Sequence, residues 1–149
     1  MSHLQYKLEI KRILDKKKAH SYEEAIDCFT RGLENLNEES SSDKLSRKER
    51  ILLQRSSVFY LNRDYSRADT DANSALKLKC STTGHFIKGV IAERRNLLNN
   101  ALKHYELCSD WPETTLIPGY TSNRFDTIQR VKRFRDQQKS GYNVKRGFF

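Results

Sequence analysis

In "KHYELC", His104 and Cys108 stand one helical turn apart, a spacing that puts an imidazole and a thiol on one face. Such a pair is half of a metal site. His3, His20, His85, Cys28 and Cys80 stand at no spacing that completes it, so no metal is expected. The acids Glu23, Glu24, Asp69 and Asp71 fall in first turns or on polar faces, where they favour the helix dipole and solubility over proton transfer. No glycine-rich phosphate loop, nucleophile elbow or HExxH motif occurs. The expectation is a non-enzymatic protein without cofactor. What remains is placed charge. Residues 1–20 carry six Lys/Arg against two acids, and residues 121–149 carry eight against two. The hundred residues between are nearly balanced, so a near-neutral body carries basic ends and the net charge is +9.

These groups must sit on something. At 149 residues, 36% hydrophobic and 32% charged, the chain is long enough for one continuous core. Two prolines and six glycines leave room for long helices, which points to an all-α fold. No apolar run approaches the roughly 20 residues that span a bilayer, and nothing near Met1 reads as a secretory leader. Three widely spaced cysteines suit a reducing compartment. A cytoplasmic or nuclear location is therefore expected.

Apolar periodicity marks seven helical segments. Residues 3–18 carry Leu4, Ile10, Ile13 and Leu14. "SYEEAIDCFTRGLENL" follows, with Ser21 and Glu24 spaced as a capping box. After the polar loop "NEESSSD", Ser46 and Glu49 repeat that spacing ahead of Leu52, Leu53, Ser56, Phe59 and Tyr60. Asp64 is the expected N-cap of a segment carrying Tyr65, Ala68, Ala72, Ala75 and Leu76. A further pair covers 83–95 and 97–109. "SDWPETTLIPGY" reads as a linker. The last helix opens at a Thr/Ser cap and places Phe125, Ile128, Val131 and Phe134 at a three-residue beat.

Second helices align. Ala25, Ala68 and Ala101 fall together, as do Phe29, Ala72 and Tyr105, then Gly32, Ala75 and Cys108. Ala68 and Ala101 are 33 residues apart, and the longer interval from Ala25 contains the acidic serine loop. Ser56 and Gly89 stand in matching slots twelve residues before their alanines. On "LNRDYSRADTDANSALKLK" and "KGVIAERRNLLNNALKHYE" the chain resembles the tetratricopeptide repeat (TPR) family, whose helical hairpins put small residues where their helices cross. The first repeat departs from that pattern, with Ile10 or Ile13 in a small-residue slot and extra residues in "DKKK". Ala72 departs too, where the family carries bulk.

The resemblance implies three antiparallel hairpins in a right-handed solenoid over residues 1–120, a capping helix at 121–139 and a flexible basic tail at 140–149. Phe125, Ile128, Val131 and Phe134 would seal the last hairpin, with Arg124, Arg130, Lys132, Arg133 and Arg135 facing water. It also implies a concave groove for a partner's peptide, lined here by Lys7, Lys11, Arg50, Gln54, Ser57, Tyr60, Phe86, Ile87, Lys88 and Val90. The co-chaperone branch of the family binds the acidic C-terminal tail of heat-shock chaperones through a Lys/Asn/Asn/Lys/Arg clamp. In this chain Lys7 fits the first position, Lys11 and Gln54 replace the two asparagines, and Thr83 and Ile87 stand at the last two. Lys88 is adjacent to the arginine slot. The clamp is incomplete, so the partner reading stays open between a chaperone tail and another protein or peptide. The alternative is an RNA- or ribosome-associated factor acting through the basic C-terminal helix and tail.

Overall fold

The computed structural model describes residues 19–37, 42–108 and 123–148. Lys7, Lys11 and the helix expected at 3–18 lie outside the described residues. Within them the chain forms six helices and no strand: α1 Ala19–Leu36, α2 Lys44–Leu61, α3 Tyr65–Leu78, α4 Thr82–Arg94, α5 Leu98–Glu106 and α6 Arg124–Phe148.

Of the helix starts expected from side-chain chemistry within the described residues, Asp64 is the one that forms, and Ser81 and Asn123 supply two further caps. Asp64 accepts a hydrogen bond from the backbone N–H of Arg67, and Ser81 accepts one from Gly84, so α3 and α4 begin where a short acceptor satisfies an orphan donor. Asn123 caps α6 by accepting from the N–H of Asp126, whose carboxylate accepts in turn from Asn123 Nδ2. The two capping boxes expected in α1 and α2 are not used. Ser21 and Ser46 lie inside their helices, which open at Ala19 and Lys44.

The turns after α2 and α4 are copies of one another. Asp64 N–H donates to Phe59 O at 2.8 Å while Arg63 N–H donates to Tyr60 O. In the second turn, Leu97 N–H donates to Ala92 O at 2.8 Å while Asn96 N–H donates to Glu93 O. Arg63 and Asn96 both hold φ at 62°. This is the Schellman closure, 33 positions apart, with a left-handed residue satisfying carbonyls that the helix end leaves open. Each turn folds the following helix back on the one before. Ser56 Oγ accordingly donates to Ala68 O at 2.6 Å, across twelve residues.

The interior consists of two groups. Leu52, Leu53, Phe59, Ala68, Ala72, Ala75, Phe86, Ile87, Val90, Ile91, Ala92, Leu98, Ala101, Leu102, Tyr105, Cys108, Ile128 and Val131 form the larger, which runs through α2 to α6. Ala25, Phe29, Leu36, Ile51 and Val58 form the smaller, between α1 and α2. The aligned alanines are all inside: Ala25 is 2% exposed, Ala68 and Ala101 0%. Small residues there let helix axes approach closely. Across α1, α2 and α3, Arg55 makes a two-pronged ion pair with Asp71, both contacts at 2.7 Å, and its third nitrogen donates to Thr30 Oγ1.

The last helix departs from expectation in two ways. A three-residue beat drifts around a helix of 3.6 residues per turn, so nine residues carry Phe134 about 180° away from Phe125. The two end positions therefore cannot share a face. Phe125 is 69% exposed and Phe134 47%, while Thr127, Ile128 and Val131 are buried. The helix also continues to Phe148 rather than ending near residue 139. No proline interrupts that stretch.

Candidate functional site

Among the described residues, an open depression lies where α2, α4 and α6 converge. It measures about 400 Å³ and is lined by Tyr60, Val90, Glu93, Arg94, Asn96 and Arg130. A second hollow of about 330 Å³ shares Glu93 and Asn96 and continues past Leu98 to Phe134, Gln137 and Gln138. The sequence dictates this placement step by step. Tyr60 occupies the last turn of α2 because the Schellman turn ends that helix two residues later. Glu93, Arg94 and Asn96 hold the equivalent place at the end of α4.

Glu93 organises the floor. Tyr105 donates its hydroxyl to Glu93 Oε1 at 2.9 Å, and Arg130 Nη2 reaches both carboxylate oxygens at 2.7 and 3.0 Å. One carboxylate thus joins α4, α5 and α6, and Gln138 Nε2 adds a bond to Asn96 Oδ1 at 2.8 Å. Arg94 stands on the rim, exposed, with Nε donating to the hydroxyl oxygen of Tyr65 at 3.4 Å. Tyr65 in turn packs against Tyr60, ring centroids 5.6 Å apart. The site therefore offers an aromatic and aliphatic wall and a guanidinium at the rim, with its internal carboxylate already engaged.

Of the groove residues read from the sequence, Tyr60 and Val90 line this depression. Gln54, Ser57, Phe86 and Ile87 are each 0% exposed. Ser57 Oγ bonds back to Leu53 O, and Phe86 packs on Tyr105. These four belong to the packed interior, with no surface for a guest. Arg50 is exposed on the second turn of α2. Lys88 turns toward α3, where Nζ pairs with Asp69 Oδ1 at 2.5 Å. Of the clamp positions within the described residues, Thr83 is half-buried and Ile87 is in the core.

The basic surface divides similarly. Lys132, Arg133 and Arg135 lie on α6 at half-buried or exposed positions, and Arg135 contacts Asp136 at 3.3 Å. Arg130, expected to face water, is turned inward to Glu93 because that carboxylate would otherwise be half-buried without a counter-charge. Arg124 reaches the carbonyl of Glu106.

His104 lies on α5, but Cys108 stands two residues beyond the end of that helix, and its Sγ points to the carbonyls of Thr82 and His104. Burial pushes the Cys108 thiol up to about 11. Among the described residues no group of three or more His, Cys, Asp or Glu side chains could hold a metal ion. None of their helices is long and apolar enough to cross a membrane. Sequence reading missed Glu93, Arg94 and Asn96, although the 33-residue repeat that placed Tyr60 could have found Glu93 as its counterpart one repeat on. No protein-family model, curated protein or solved structure matches this chain.

Proposed function

We propose that the chain is a TPR-like, non-enzymatic adaptor that takes an extended segment of a partner protein in the trough between Tyr60 and Phe134. Three hairpins in a right-handed solenoid, the first completed by residues 3–18 and the last capped by α6, is the arrangement that this reading entails. The observation that carries it is the trough itself, with Arg94 at its rim, Tyr60 and Val90 on its wall and Phe134 at its far end. The duplicated Schellman turns and the buried alanines at the same period support the repeat. A guest that combines a carboxylate with a bulky apolar side chain matches this surface: the carboxylate meets Arg94 in a charge-assisted bond and the apolar group covers Phe134.

Acidic-hydrophobic peptides with a fluorescent label test the reading by anisotropy titration. Arg94→Ala and Tyr60→Ala should each weaken binding about tenfold, with far-ultraviolet circular dichroism unchanged. Equal affinity in both variants and the parent would remove the trough as the site. A chaperone tail is one such acidic guest, and titrating a peptide ending in a free carboxylate beside its amidated form decides whether the terminal charge is read.

One observation favours the second reading, an RNA or ribosome contact. Phe125 and Phe134 are exposed on the same helix as Lys132, Arg133 and Arg135, so aromatic faces lie beside cations as in surfaces that stack bases and hold phosphate. That reading requires a steep salt dependence of single-stranded RNA binding that disappears when those three cations are replaced by glutamine.

A further inference from the structure

Away from the trough, three side chains line up where α4 begins. Cys80 is exposed just ahead of α4, and its Sγ lies 3.2 Å from Nε2 of His85 in the first turns of that helix. The other ring nitrogen of His85, Nδ1, lies 3.1 Å from Nδ1 of His104 on α5, and the two rings stack with centroids 5.4 Å apart. These contacts fix the protons. If Nε2 of His85 accepts the S–H, Nδ1 carries the hydrogen and donates it to His104, which must then keep its own proton on Nε2. A thiol, a base and a group that orients the base follow one another at hydrogen-bond distances.

The surroundings favour that assignment. Burial, followed by Lys88, His85 and Lys103, lowers His104 to about 4 against a weaker opposing effect of Asp69, so it stays a neutral acceptor at pH 7. Burial also lowers His85, leaving its Nε2 lone pair open to the thiol proton. The sulfur lies beside the Ser81-capped N-terminus of α4, whose dipole favours negative charge there. A metal does not fit, because the thiol and His104 approach opposite nitrogens of His85 and one ion cannot meet all three. The other two thiols differ: Cys28 is half-buried, and Cys108 is buried against two carbonyls.

We propose that Cys80 is a nucleophilic thiol that exchanges with low-molecular-weight disulfides, with His85 as its base and His104 as the positioning residue. Cys80 gives its proton to His85 Nε2 and Sγ attacks one sulfur of the disulfide. The Sγ–S bond forms as the original S–S bond breaks, and the electron pair leaves on the second sulfur. The proton on His85 passes to that departing thiolate. One mixed disulfide and one free thiol result, so the disulfide is the only oxidant required.

The test uses the full chain, glutathione disulfide and mass-spectrometric mapping of the adduct with time. Native Cys80 should react about tenfold or more faster than Cys28, and faster by a similar factor than Cys80 in the urea-unfolded chain. His85→Asn should bring Cys80 down to the unfolded-chain rate. His104→Asn should slow it less and move the midpoint of its pH–rate profile upward, leaving Cys28 unchanged. Native Cys80 reacting no faster than its unfolded counterpart overturns the proposal, and so does an undiminished rate in a folded His85→Asn protein. If His85→Asn does not fold, the native-against-unfolded comparison decides alone.

Discussion

Alanine in place of Gly89 should weaken the fold, although in a helix interior alanine ordinarily stabilises by about 1 kcal/mol relative to glycine. Gly89 sits mid-way along α4, and a β-carbon there would come within 3.0 Å of three Tyr105 ring carbons, Cδ1, Cε1 and Cζ. That ring is 0% exposed, and its hydroxyl is held by Glu93, itself clasped by Arg130. The ring cannot swing aside without losing a hydrogen bond to a charged group, about 1.5–3 kcal/mol. If α4 and α5 separate instead, overpacking costs about 1–3 kcal/mol. Set against the propensity gain of about 1 kcal/mol, these costs leave a net loss of up to about 2 kcal/mol. Urea unfolding followed by far-ultraviolet circular dichroism reads it as a lower midpoint at unchanged slope. Gly84→Ala is the control. Its added carbon meets Leu76 Cδ2 at 2.6 Å and Cγ at 3.0 Å, a half-buried side chain that can rotate, and Ser81 Oγ at 3.1 Å, so the change should cost less than Gly89→Ala. Gly89→Ala as stable as Gly84→Ala would refute the close approach of α4 and α5 at this point.

Arg63 holds a left-handed conformation that glycine adopts freely, so Arg63→Gly should raise stability by about 0.5–1 kcal/mol in the same assay; Asn96→Gly should gain less, because asparagine tolerates that region and its Oδ1 accepts from Gln138. Arg55→Ala strands Asp71, 4% exposed, without its two-pronged partner and should cost about 3–5 kcal/mol; a loss below about 1 kcal/mol would mean the ion pair is not holding α1, α2 and α3 together. His104 titrates near 6.5 when unfolded but about 4 when folded. Between those values the unfolded chain takes up a proton that the folded chain refuses, so stability falls as pH drops from 6.5 to about 4. In His104→Asn that part of the pH dependence should vanish, measured as the difference between the two stability–pH curves.

Much of the architecture was legible because small residues at a fixed period are hard to place in any other way. Ala25, Ala68 and Ala101 had to be inside, and they are. The groove was harder to read for a physical reason. On α4, Gly84, Phe86, Ile87, Gly89, Val90, Ile91 and Ala92 are all buried, which takes in almost the whole circumference of the helix. No polar stripe therefore distinguishes a groove side from a core side, and Phe86 and Ile87 were assigned to the wrong one of two apolar faces. Gln54 misled differently: its side chain looks solvent-seeking, yet it is packed in the interior. On α6 the regular beat of four apolar residues concealed a rotation, so only its middle pair reached the core. The Cys80–His85–His104 line had no sequence signal at all, since its outer members are 24 residues apart and meet only when α5 folds back on α4.

The division of the interior has a consequence for how the molecule breathes. Five residues make up the group that seats α1, against eighteen in the body of the larger one, and Ile26, Leu33 and the Arg55 fork are what stitch the two together. Such an interior does not melt in one stroke from every side. It peels from the weaker margin, and amide hydrogens of α1 will trade with heavy water well before those buried in α4.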